Sequence, residues 1–206
     1  MSERTLQLAA LFLDYPDSEL YAMTPELADS AALVPDGEGG RELREFAAHR
    51  LRIGRDAAQE EYVATFDFHK RASLYLTYYR DGDRRQRGAS LLGLKRIMRE
   101  AGYEVAGGEL PDYLPLVLEF AALSPAAAEP VLRRFRAAIE VLRAALRETD
   151  SPYAGVLAAV SGVLPAMAAT DIAEARRIAA EGPPDEDVGL EPFAPPEVMP
   201  YAEAAR

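Results

Sequence analysis

Cysteine and tryptophan are both absent from this 206-residue sequence, and histidine occurs only twice. Without cysteine there is no disulfide, no thiolate metal site and no cysteine nucleophile. His49 and His69 are then the only imidazole bases on offer. There is no HExxH pair, no Cys/His pairing and no EF-hand loop. Gly107-Gly108 is preceded by no strand and followed by no GK[ST], so it is no phosphate loop. The opening MSERTLQLAALFLDYP has neither a basic leader nor a cleavage site, and its apolar run is too short to span a bilayer. A cytosolic protein without membrane insertion is the expectation. Positive charge is scarce too: 23 basic residues face 34 acidic ones, a net charge of −11. Such a field repels phosphate backbones and anionic membranes, disfavours nucleic acid and favours a basic partner.

What the chain does have is helical spacing almost throughout. Leu6, Ala9, Ala10 and Leu13 share one helix face, stopped by Tyr15-Pro16. Asp17 or Ser18 caps a short second helix. After the loop PDGEGG (35–40) the period resumes at Leu43, Phe46, Ala47 and Leu51, and a further helix carries Tyr62, Thr65 and Phe66. Asp81-Gly82-Asp83 marks a turn, with Asp83 as N-cap of a helix bearing Leu91, Leu94, Ile97, Met98 and Ala101. Gly102 closes that helix, and the loop 106–115 leads to the face Leu114, Val117, Leu118 and Ala121. Val131, Phe135, Ala138, Ile139, Leu142 and Leu146 read as the longest amphipathic stripe. Val156 to Met167 reads as a nearly all-apolar central helix that Pro165 kinks.

No segment alternates with a two-residue period between hairpin turns. The expected fold is all-α, a single-domain bundle of seven or more helices over residues 1–180. From Glu181 the composition changes. Seven carboxylates face one arginine and six prolines interrupt them, a net −6 that leaves −5 on the rest. Residues 181–206 therefore read as an acidic, Pro-rich, mostly extended tail, in which Phe193 and Val198 are the side chains able to dock.

One stretch, EYVATFDFHKRASLYLTYYRDGDRRQRG from Glu61, sets Tyr62, Tyr75, Tyr78 and Tyr79 among mixed charges. These rings either fill the core or line a binding surface. His69 lies near Asp67 and Ser73, but a Ser-His-Asp site is assembled from separate elements around an exposed nucleophile, and nothing here resembles one. His49 sits in the basic helical stretch REFAAHRLR, where the ordinary reading is a solvated or half-buried side chain. Arg84, Arg85 and Arg87 open an amphipathic helix and can pair with carboxylates. Glu109 and Asp112 flank Pro111. Asp112 can cap the following helix, or the two acids can anchor a guanidinium that also stacks on a ring.

The segment YVATFDFHKRASLYLTYYRDGDRRQRGASLLGLKRIMREAGYE, followed by ELPDYLPLVLEFAAL, closely resembles the NarJ-type nitrate reductase assembly chaperones, within the TorD/DmsD/NarJ group of redox-enzyme maturation chaperones. The likeness is strongest over residues 61–123 and extends more loosely from LAALFLDYPD to GPPDEDVGLEPF. It implies an all-helical cytosolic chaperone, not an enzyme. Its partner would be the N-terminal basic amphipathic segment of the nitrate reductase catalytic (alpha) subunit, held until molybdenum cofactor is inserted. The cofactor belongs to that client, so none is assigned to this chain. The family's proline-aspartate-histidine loop reads Glu109-Leu110-Pro111-Asp112-Tyr113 here, with tyrosine where histidine is common. Tyr75, Tyr78 and Tyr79 match the aromatic signature, so the client-peptide residues implied are these three with Glu109, Leu110, Pro111, Asp112 and Tyr113. Still open beside this reading are a chaperone of another molybdoenzyme, a helical ligand-binding regulatory domain, and a hydrolase using His69.

Overall fold

The computed structural model describes residues 2–81, 84–105 and 107–182. Among them are eleven α-helices and no strand. They are α1 (Glu3–Leu13), α2 (Ser18–Ala22), α3 (Thr24–Ala32), α4 (Gly40–Ile53), α5 (Arg55–Phe66), α6 (Arg84–Glu100), α7 (Leu114–Leu123), α8 (Pro125–Arg134), α9 (Arg136–Glu148), α10 (Tyr153–Val163) and α11 (Ala169–Glu181). The expected cap Asp83 and the acidic segment from residue 183 onward lie outside the described residues.

A single contiguous core joins the helices, and α1, α7 and α10 form its centre. Leu6, Ala9, Phe12 and Leu13 of α1 have no exposed surface, nor do Val117 and Leu118 of α7 or Val156 and Val160 of α10. Burying each leucine or phenylalanine contributes about 2 kcal/mol. Asp17 caps α2 as expected, its Oδ1 accepting from the amides of Glu19 and Leu20 at 2.9 and 2.8 Å. The loop after α3 is tighter than its composition suggests: Asp36–Glu38 form a 3-10 turn and Gly39 follows with φ +87°. A Cβ on Gly39 would stand 2.5 Å from the Cβ of Ala159, so this glycine lets α4 start against α10.

Three expectations are corrected. The stripe from Val131 to Leu146 spans two helices, α8 and α9, which meet at Phe135. Pro165 does not kink a helix, because α10 ends at Val163 and Leu164 is already extended. On α4 the buried face continues through Arg50, while Leu51 is 44% exposed. Arg50 is enclosed because its guanidinium lies over the rings of Phe46 and Phe12, 4.9 and 5.5 Å from their centroids, and Nη2 donates to the Phe12 carbonyl at 2.8 Å. The delocalised, weakly hydrated guanidinium tolerates that setting better than an ammonium would.

Candidate functional site

Two irregular segments meet beside α1. Residues 73–79, between α5 and α6, end in a 3-10 turn, Leu76–Tyr79. The loop 109–113 precedes α7. An isolated antiparallel bridge, Tyr75 with Tyr113, holds them together. The Leu76 amide donates to the Asp112 carbonyl at 3.0 Å and the Leu114 amide to the Leu74 carbonyl at 2.8 Å. The two tyrosine rings stack obliquely, 5.4 Å apart.

Asp112 has no exposed surface. Its carboxylate points inwards, where Oδ2 accepts from the Thr77 amide at 3.1 Å and from the Thr77 hydroxyl. It therefore caps the 3-10 turn. The N-cap of α7 is Tyr113, without a side-chain capping bond. Both sequence readings of Asp112, helix cap and outward anchor, give way to this fastening of one loop to the other. Pro111 is buried and Leu110 is half-buried, its carbonyl taking the Tyr113 amide at 3.0 Å. Tyr79 is buried, and its hydroxyl donates to the carbonyls of Arg71 and Ser73, both at 2.9 Å. Tyr78 is half-buried and packs edge-on against Tyr79, with centroids 5.8 Å apart.

Glu109, Tyr75 and Tyr113 remain at the surface. Glu109 Oε1 accepts from the Tyr75 hydroxyl at 3.2 Å and from the Leu110 amide at 2.8 Å. Burial raises the Tyr75 phenol above its ordinary value, and the neighbouring Glu109 carboxylate raises it further. The Tyr113 hydroxyl donates to Asp14 Oδ1 at 3.1 Å and lies 3.1 Å from the Tyr62 hydroxyl. Burial pushes the Tyr113 phenol up, and Tyr62 and Asp14 add to the effect. Tyr113 thus ties the loop to the end of α1 and to α5.

Between α1 and α7, in front of this tie, runs a groove of about 320 Å³. Ala10, Leu11, Pro115 and Leu116 supply its apolar floor, and Asp14, Glu109 and Glu119 its rim. Among the described residues no arginine or lysine lines it. Leu116 and Glu119 also line a smaller, separate hollow of about 120 Å³ beside Tyr103, Val105 and Phe120, where Glu104 adds another carboxylate. Leu123, 55% exposed, borders that hollow. Among the described residues none of these four carboxylates has a basic partner within ion-pair distance. The arrangement is a trough with an apolar floor and an acidic edge.

Asp14, Leu116 and Glu119 were not singled out from the sequence. Glu119 carried a signal, being the only charged residue in the apolar helix LPLVLEFAAL. Asp14 carried none, since it joins the rim only through the packing of α1 on α7. The histidines lie elsewhere. His49 Nε2 sits 3.0 Å from both Glu61 carboxylate oxygens and its Nδ1 2.9 Å from Arg52 Nη2, a half-buried surface network. His69 is exposed. No group of three or more metal-ligating side chains occurs among the described residues, and no described helix is long and apolar enough to cross a membrane.

The family model for the nitrate reductase delta subunit matches residues 34–159. The chain belongs to that family. It is 39% identical over 163 residues to a Bacillus subtilis protein described as a probable nitrate reductase molybdenum cofactor assembly chaperone NarJ, covering 76% of this chain and 86% of that one. To the Escherichia coli K12 nitrate reductase molybdenum cofactor assembly chaperone NarJ it is 30% identical over 158 residues, covering 72% and 64%. A Mycobacterium tuberculosis nitrate reductase-like protein, NarX, is 38% identical over 155 residues, which make up 75% of this chain and 23% of that longer one. The family match takes in both loops of the site, and the NarJ resemblance read from the LYLTYY and ELPDYLP segments is confirmed.

Proposed function

We propose that this protein is a maturation chaperone of a nitrate reductase, which holds the immature catalytic subunit by its N-terminal segment while molybdenum cofactor is inserted. The observation that carries the reading is the groove between α1 and α7, with its apolar floor and acidic edge. An amphipathic helix with basic residues on its polar side fits it on both counts: its apolar face covers Leu11 and Leu116, and its cations meet Asp14, Glu109 and Glu119. The relatives described as assembly chaperones support the same assignment. The work is capture, with no bond made or broken by this chain. Its net charge of −11 speeds encounter with a basic segment and makes that encounter salt-sensitive. Of the two acids expected to anchor the client, Glu109 keeps that role here, and Asp14 and Glu119 take the place of the enclosed Asp112.

The test is affinity for a synthetic peptide of the client's N-terminus, measured calorimetrically at several salt concentrations. The triple variant Asp14→Asn, Glu109→Gln, Glu119→Gln should bind about tenfold more weakly at low salt, at a few tenths of a kcal/mol or more per partly exposed pair, with a flatter salt dependence. Unchanged affinity and slope in a folded variant would overturn the reading. Co-purification of the catalytic subunit from nitrate-respiring cells identifies the client.

A further inference from the structure

A second furrow, which shares no lining residue with the acidic groove, lies between α9 and α11. Its volume is about 300 Å³, its walls are Val141 and Ala145 of α9 and Ile172 and Ala175 of α11, and Tyr79 and Gly182 close it. The acidic groove and its client do not account for it. The chain itself supplies the occupant's point of departure, because Gly182, the last described residue, is part of the wall. Gly182 has φ +74° and ψ 177°, so it ends α11 at the furrow.

Twenty-four residues follow Gly182. An α11 of 13 residues is about 20 Å long, while eight extended residues reach about 26 Å, so Leu190 can travel the full length of the furrow. The segment also has matching chemistry. Arg71 and Arg176 stand on the furrow, and neither guanidinium has a carboxylate within ion-pair distance among the described residues. Of the two acids there, Glu140 is already taken by Arg136, Arg143 and Ser161, which leaves Glu148. The segment brings three consecutive acids, Asp185, Glu186 and Asp187, and then the apolar Leu190 and Phe193. Prolines 183, 184 and 192 restrict the free segment and lower the entropic cost of seating it.

We propose that residues 185–193 of the same chain fold back into the furrow between α9 and α11, setting the acidic triplet against Arg71 and Arg176 and seating Leu190 and Phe193 on Val141 and Ala145. The furrow is then an intramolecular dock for the acidic end of the chain, separate from the groove that takes the client.

The cysteine-free sequence makes the test direct. In the full-length chain, Ala144→Cys on the furrow is combined with Ala194→Cys, and the rate of disulfide formation at high dilution is compared with that of Ala48→Cys with Ala194→Cys. Ala48 is exposed on α4, whose main packing partners are α3, α5 and α10. The furrow pair should close within one chain at least tenfold faster than the control pair. Leu190→Asp with Phe193→Asp, or Arg71→Glu with Arg176→Glu, should bring it down to the control rate. Equal rates for the two pairs would overturn the proposal. So would cross-linked dimers as the main product, which would make a second copy the occupant.

Discussion

Asp112 and Thr77 are joined twice, once through the threonine amide at 3.1 Å and once through its hydroxyl, although 35 residues separate them in sequence. The pair is fully buried, so it fixes the two loops that shape the acidic groove without facing that groove. Removing the carboxylate strands two buried donors at roughly 1–3 kcal/mol each. Asp112→Ala should therefore lower stability by about 3 kcal/mol in urea unfolding. Glu109→Gln should leave stability within about 0.5 kcal/mol and lower peptide affinity instead. Equal effects of the two changes on stability would refute this division of labour.

Arg50 offers a second measurement. Arg50→Ala removes the stacking on Phe12 and Phe46, strands the Phe12 carbonyl and leaves a cavity, a loss of about 3 kcal/mol. Arg50→Met refills most of the volume and should recover more than half of that loss. If methionine were no better than alanine in chemical denaturation, the hydrogen bond rather than the packing would be the main contribution.

Glu140 makes stability depend on pH. Burial alone would raise its carboxyl, but hydrogen bonds from Ser161, Arg136 and Arg143 outweigh burial and hold it below the ordinary value of 4.5. Such a group binds fewer protons in the folded state, so it is stabilising above that value and the contribution is lost as pH falls through the depressed one. Melting temperatures between pH 7 and pH 3 should show Glu140→Gln less stable than the parent near neutrality. The gap should narrow below about pH 4.5. A gap that stays constant over this range would contradict the assignment.

Two glycines should respond in opposite directions. Gly39→Ala places a Cβ 2.5 Å from the Ala159 Cβ on a backbone with φ +87° and should cost upwards of about 2 kcal/mol. Gly93 lies inside α6 with open space around a built Cβ, so Gly93→Ala should gain about 0.5–1 kcal/mol from helix propensity. Thermal unfolding of the two variants checks both signs.

Much of this architecture was legible in the residue pattern, because most helices carry their own spacing and stop signals: the α1 stripe ahead of Tyr15-Pro16, the Asp17 cap, the apolar α7. The failures have physical causes. Phe135 divides α8 from α9 with neither glycine nor proline, and its backbone, at φ −101° and ψ 13°, still passes the hydrogen-bond pattern on from Val131 to Ile139. Apolar spacing therefore runs across the break unchanged. On α4 the period 43, 46, 47 marked position 50 as inward, but an arginine there reads as a surface residue until its ring neighbours are known. The candidate site was half legible. Tyr75, Glu109 and Tyr113 lie in segments with an evident motif, whereas Asp14 reaches the same rim only because α1 packs on α7.

The Tyr75–Tyr113 bridge also closes the base of an excursion of the chain that includes all of α6. Beyond the bridge, α6 leans chiefly on the Leu76–Tyr79 turn and on α8, burying Leu94 and Met98 while Leu92 is 72% exposed. Such a flap can lift away while the staple at its base stays shut, so its amide protons should trade with deuterated solvent well before those of α1, α7 and α10. Because Met98 borders the hollow beside Tyr103, that same breathing would open this hollow and carry Glu104 with it, while Asp14 and Glu119, beside α1 and on α7, keep their places.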